Sequence, residues 1–164
     1  MTVLPVPNMT GARYFTPAQN ADLATLFDAI WPGELGRPGA REAGASDYVD
    51  QLLALPEAYY EVAGWRALYQ AGLAMLAGAA KVRVPGLSSL AAMTRDQATD
   101  MLGQLQAGAL AGFPDMAWQK NFFMVLRSHA IEGCLADSRW GGNRNGVIWN
   151  WLGYPGAPIQ QAPF

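Results

Sequence analysis

Every long apolar pattern in this chain returns at three- and four-residue intervals, and none alternates in twos. That regularity points to helices packed on helices, because a half-buried strand needs an apolar side chain at every second residue. Thr16-Pro17 has the form of an N-cap followed by proline at the first helical position. Leu23, Leu26, Phe27 and Ile30 recur behind it until Pro32-Gly33 stops the run. The stretch GELGRPGAREAG, residues 33 to 44, is dense in Gly and Pro and is expected to be a loop. A short helix is predicted from about Ser46 to Leu55, with Tyr48, Leu52 and Leu55 on one face. After Pro56, a long helix from Glu57 to about Lys81 is striped by Tyr59, Val62, Tyr69, Leu73 and Leu76. Gly64, Gly72 and Gly78 each cost that helix about 1 kcal/mol relative to alanine, and the expected compensation is close approach of a neighbouring helix.

Val84-Pro85-Gly86 makes a turn, and Thr94-Arg95-Asp96-Gln97 is a capping box opening a helix to about Leu105. Residues 107 to 113, AGALAGF, are a small-residue connector. Pro114-Asp115 then starts the most apolar helix, running to about Leu135, with Met116, Phe123, Leu126, Ala130 and Cys134 as its expected buried stripe. No internal repeat is evident. The predicted fold is all-α, a single-domain helical bundle over residues 15–137. An N-terminal extension, residues 1–14, precedes it, and an irregular Gly/Trp-rich C-terminal arm, residues 138–164, follows.

The chain's 164 residues fit one domain that buries roughly 70 % of its unfolded surface. Charged residues are 15 % of the total, and 11 basic against 13 acidic side chains leave a net charge of −2. No field attracts phosphate backbones, so no nucleic-acid partner is expected. Cys134 is the one cysteine, which excludes a disulfide within the chain and a thiolate metal cluster. The least charged stretch, Ala67 to Ala80, is well short of the ~20 apolar residues that span a bilayer. MTVLPVPNMTG at the N-terminus has neither an arginine pair nor an apolar core, so it is not expected to act as a signal peptide.

Few side chains suggest chemistry. His129 is the one histidine, with Glu132 three residues on, and could serve as a general base or a metal ligand. A locally hydrogen-bonded helix histidine explains it more simply, because no further ligands are marked. Cys134 on an apolar stripe reads as a small core residue. Asp47 with Asp50, and Asp96 with Asp100, are helix-spaced carboxylates expected to lie on solvated faces or in first helical turns. Gly141-Gly142-Asn143-Arg144-Asn145-Gly146 matches no phosphate-binding loop, and its glycines suit positive φ or close backbone approach. No catalytic, cofactor or metal residues are therefore assigned. A stand-alone enzyme or small-ligand binder using His129, Glu132, Arg139 and Arg144 is the alternative.

Residues 138 to 158, SRWGGNRNGVIWNWLGYPGAP, hold three tryptophans, five glycines and two arginines, and no carboxylate side chain follows Asp137. Trp and Arg concentrate in the buried centres of interfaces. The arm is thus expected to contact a partner through Arg139, Trp140, Gly141, Gly142, Asn143, Arg144, Trp149, Trp151 and Tyr154, unless it packs on its own core.

Two parts of the chain carry a family resemblance. FTPAQNADLATLFDAIWPGELGRPGAREAG followed by DYVDQLL, and HAIEGCLADSRWGGNRNGVIWNWLGYPG near the end, resemble the gluconate 2-dehydrogenase subunit 3 family. The specific part is Asp137, then Trp140-Gly141-Gly142-Asn143, then Trp149 with Gly153-Tyr154-Pro155-Gly156. Ser138 and Trp140 stand where the family usually has proline and tyrosine. The resemblance implies the small subunit of a bacterial flavin-dependent sugar or polyol dehydrogenase. FAD and the catalytic residues would sit in a large partner of the glucose-methanol-choline type, and haem c often in a third, cytochrome c subunit. It further implies help with folding, assembly or twin-arginine export of that partner, and a periplasmic location. With no export signal visible in this chain, a cytoplasmic location is the alternative.

Overall fold

The computed structural model describes residues 13–56 and 60–154 and forms seven α-helices among them: α1 (Pro17–Ile30), α2 (Ala40–Ala43), α3 (Ala45–Leu53), α4 (Tyr60–Arg83), α5 (Arg95–Ala107), α6 (Met116–Leu135) and α7 (Val147–Leu152). No strand occurs among the described residues. An isolated bridge between Glu34 and Arg37 closes a turn. The all-α, single-domain expectation holds.

Local chemistry sets the helix starts. Thr16 Oγ1 accepts the Gln19 N–H at 3.2 Å while Gln19 Oε1 accepts the Thr16 N–H at 3.0 Å, so two amide donors at the start of α1 are satisfied reciprocally. Thr94 and Gln97 repeat the device on α5 at 3.2 and 2.9 Å. Behind these caps Leu23, Leu26 and Phe27 are fully buried, and α1 packs against α2, α3, α5 and α6 as the hub of the bundle. Arg95 pairs with Asp28 at 3.2 Å and ties α5 to α1 from outside.

Close approach explains one of the three α4 glycines. A β-carbon on Gly72 would collide with the ring of Phe122 on α6, whereas one on Gly64 or Gly78 would meet nothing within 4 Å. Gly72 lets Phe122 lie edge-on to Tyr69, with ring centroids 5.9 Å apart. Val62, Tyr69, Leu73 and Leu76 form the buried stripe as expected, and Tyr59 lies outside the described residues.

Three expectations are corrected. Residues 33 to 44 are not all loop, because Ala40–Ala43 makes a helical turn. Glu42 Oε2 accepts the Gly39 N–H at 2.9 Å to start it, and Gly44 ends it at φ 66°. On α3 the inward face carries Val49 and Leu53 with Ser46 and Asp50, while Tyr48 and Leu52 are half-buried. The buried line of α6 is Gln119, Phe122, Leu126, His129, Ala130, Gly133 and Cys134, with Met116 exposed and Phe123 half-buried. The cause on both helices is a polar residue with work to do inside. Asp50 receives backbone amides, and Gln119 takes both backbone groups of Leu110, accepting its N–H at 2.9 Å and donating to its C=O at 3.1 Å.

Candidate functional site

Three backbones cross where the C-terminal arm meets the bundle. A β-carbon on Gly133 of α6 would lie 2.8 Å from the carbonyl oxygen of Ala45, and one on Gly142 would strike the carbonyl of Gly133. Only glycine fits at either position, and the approach lets the Asn143 N–H donate to Gly133 O at 2.7 Å.

Asn143 is wholly buried at φ 39°, and its Oδ1 accepts the Ile148 N–H at 2.9 Å. It therefore caps α7, whose Ile148 enters the main core. Gly141, Asn145 and Gly146 also take positive φ, at 90°, 57° and 66°. The GGNRNG run thus turns at four left-handed positions, and the described part of the arm, residues 138–154, holds two 3-10 turns and α7.

The two arm arginines find carboxylates within the chain. Arg139 pairs with Asp137 at 3.0 Å and lies over the Trp140 ring at 5.9 Å. The side-chain hydrogen bond from Arg139 holds the Asp137 carboxyl below its usual value. Arg144 Nη2 donates to Asp47 Oδ2 at 2.5 Å; Asp47 lies in the first turn of α3, as one of the two expectations had it, whereas Asp50 is buried rather than on a solvated face. Asp47 Oδ1 also receives Arg13 Nη1 at 2.9 Å and Asn20 Nδ2 at 3.0 Å. Asp50, 2 % exposed, accepts the Tyr14 and Phe15 N–H groups at 2.7 Å each, with Arg13 at 3.2 Å.

The aromatics divide. Trp140 packs beside Leu55 and Val62, half-buried, and Gly141 sits against Gln51. Trp149 donates its Nε1–H to Leu135 O at 2.9 Å. Trp151 is 43 %, Leu152 53 % and Tyr154 58 % exposed, and Leu135 is exposed at the end of α6. Tyr154 and Trp149 lie with ring centroids 5.3 Å apart. The exposure of Leu135 and Leu152 was not legible from sequence, because a leucine at helical spacing reads as core. Residues 155–164, including Pro155-Gly156, lie outside the described residues.

His129 and Glu132 bond to groups other than the arm arginines. His129 is 2 % exposed, its Nδ1 3.0 Å from Tyr69 Oη and its ring edge-on to Trp65 at 4.7 Å. Its hydrogen-bond partner is on another helix, not local as expected. Burial pulls its pKa down to about 4, so it is neutral. Glu132 accepts from Tyr48 Oη at 3.4 Å, and its pKa is raised, chiefly by burial. A cavity of about 610 Å³ lies elsewhere, lined by Met75, Gly78, Val82 and Leu110 among others. Cys134 is buried, and burial pushes its thiol up to about 12. Among the described residues no three His, Cys, Asp or Glu side chains are grouped to hold a metal ion, and no helix is long and apolar enough to cross a membrane.

Comparison with curated proteins and with solved structures finds no match. A family model described as gluconate 2-dehydrogenase subunit 3 matches residues 17–156.

Proposed function

Because the chain belongs to the gluconate 2-dehydrogenase subunit 3 family, we propose that it is the small, non-catalytic subunit of a dehydrogenase complex, docking through the end of its C-terminal arm onto a large FAD-containing partner. The partner is a flavoprotein of the glucose-methanol-choline type acting on a sugar, glucoside or gluconate, with a cytochrome c subunit as a further member. The small subunit supports folding and assembly of the flavoprotein and its passage into the periplasm.

One observation carries this reading. The described part of the arm has its backbone held by Asn143, Gly142 and Ile148, yet Trp151, Leu152 and Tyr154 on it are exposed. A rigid backbone holding exposed aromatics loses little entropy on docking, which suits an anchor for a pocket on another protein. Of the other large exposed apolar residues among those described, Leu35 and Val82 stand apart in the sequence, and Met116 and Met124 lie on α6.

The test is to purify the chain alone and together with the flavoprotein co-expressed from the neighbouring reading frame, recording a spectrum and sugar-dependent dye reduction. Flavin absorbance and activity are expected in the pair and in neither form of the small subunit alone. A yellow, active small subunit purified by itself would overturn the proposal.

A further inference from the structure

Asp47 and Arg144 are 97 positions apart, and nothing in the docking reading so far uses their contact. Arg144 sits between the left-handed Asn143 and Asn145, one residue beyond the buried cap of α7. Its guanidinium lies against the backbone of Gly44, where a β-carbon would come within 2.8 Å of Nη2, and its donor meets the Asp47 carboxylate on the first turn of α3. Gly44 supplies a floor that any other residue would fill, and Asp47 an acceptor that fixes direction. The seat receives the arm at the point where its chain turns into α7.

We propose that Asp47 is a positioning residue for the docking surface: by holding Arg144 over Gly44, it sets the orientation in which α7 presents Trp151, Leu152 and Tyr154 to the partner. The proposal rests on the docking role proposed above. Arg144 is half exposed, and an ion pair of that exposure adds little to global stability. Its effect is local, on how often α7 departs from one orientation, and such departures lower affinity by the fraction of time spent misaligned.

Asp47→Asn and Arg144→Gln test the seat, singly and combined, with Arg13→Gln as the variant that removes a different guanidinium from the same carboxylate. Two readouts are taken on the full chain. The first is hydrogen exchange of the α7 amides against those of α1 and α6 in the lone subunit; the second is affinity for the flavoprotein. Asp47→Asn and Arg144→Gln are each expected to speed α7 exchange and weaken binding by roughly five- to tenfold, with melting and core exchange unchanged. In these two readouts the double variant should be no worse than either, because Arg144–Asp47 is the contact of Asp47 that reaches the arm and both variants remove it. Arg13→Gln should leave both readouts at the wild-type value. Unchanged α7 exchange in Asp47→Asn, additive losses in the double variant, or an equal loss in Arg13→Gln would each overturn the assignment. If exchange responds as expected but a Trp151→Ala, Leu152→Ala variant still binds like wild type, the seat stands and the docking reading fails.

Discussion

Replacing Asn143 with alanine removes the acceptor of the Ile148 amide and puts a β-carbon without a polar tip at φ 39°. The lost cap and the strained left-handed backbone together should cost about 2 kcal/mol, read as a drop in the urea midpoint with an unchanged slope. Asn143→Gly keeps the conformational freedom and should lose less. His129 gives a pH test. Its folded pKa of about 4 lies below the ordinary 6.5, so the unfolded chain binds the extra proton between those values. The contribution is present above pH 6.5 and lost as pH falls towards 4, amounting to at most about 3 kcal/mol. Glu132, whose pKa is raised, works in the opposite direction just above its ordinary value. Melting between pH 7 and 4.5 should therefore fall more steeply in wild type than in His129→Gln; parallel curves would show that His129 does not control the slope. The glycines of 141–146 were legible from sequence because positive φ and close approach are what glycine is for. The inward Asp50 was not, since beside Arg13 its partners are backbone amides at residues 14 and 15 that carry no side-chain signal.

At the scale of elements, α4 separates glycines that pack from glycines that do not. Gly72→Ala should destabilise the fold by several kcal/mol, because the new carbon overlaps the Phe122 ring that Tyr69 also contacts. Gly78→Ala, with open space around the new carbon, should stabilise it by about 0.5–1 kcal/mol through helix propensity. Thermal melts of the two variants moving in opposite directions would bear this out, and shifts of the same sign would refute it. Periodicity and capping located α1, α4, α5 and α6 well, since Thr16-Pro17 and Thr94-Gln97 mark helix starts by themselves. It misjudged which face turns inward on α3 and α6, because hydropathy ranks Met116 and Phe123 above Gln119 and cannot see the stranded backbone of Leu110.

For the molecule as a whole, the chain belongs to the gluconate 2-dehydrogenase subunit 3 family and its described residues fold into helices. Its surface carries few charges and exposed apolar side chains on the arm, so the lone subunit should self-associate at high concentration, visible by sedimentation, and become monodisperse on adding the flavoprotein. The most direct test compares the two ends of the arm. Trp151→Ala with Leu152→Ala removes the exposed end, and Trp140→Ala removes the ring packed beside Leu55 and Val62. Each is melted alone and titrated with the flavoprotein. The first variant is expected to melt like wild type but to bind at least about thirtyfold more weakly, the scale of losing an anchor worth ~2 kcal/mol, whereas the second should lose stability. Wild-type affinity in Trp151→Ala, Leu152→Ala would contradict the docking role of the arm.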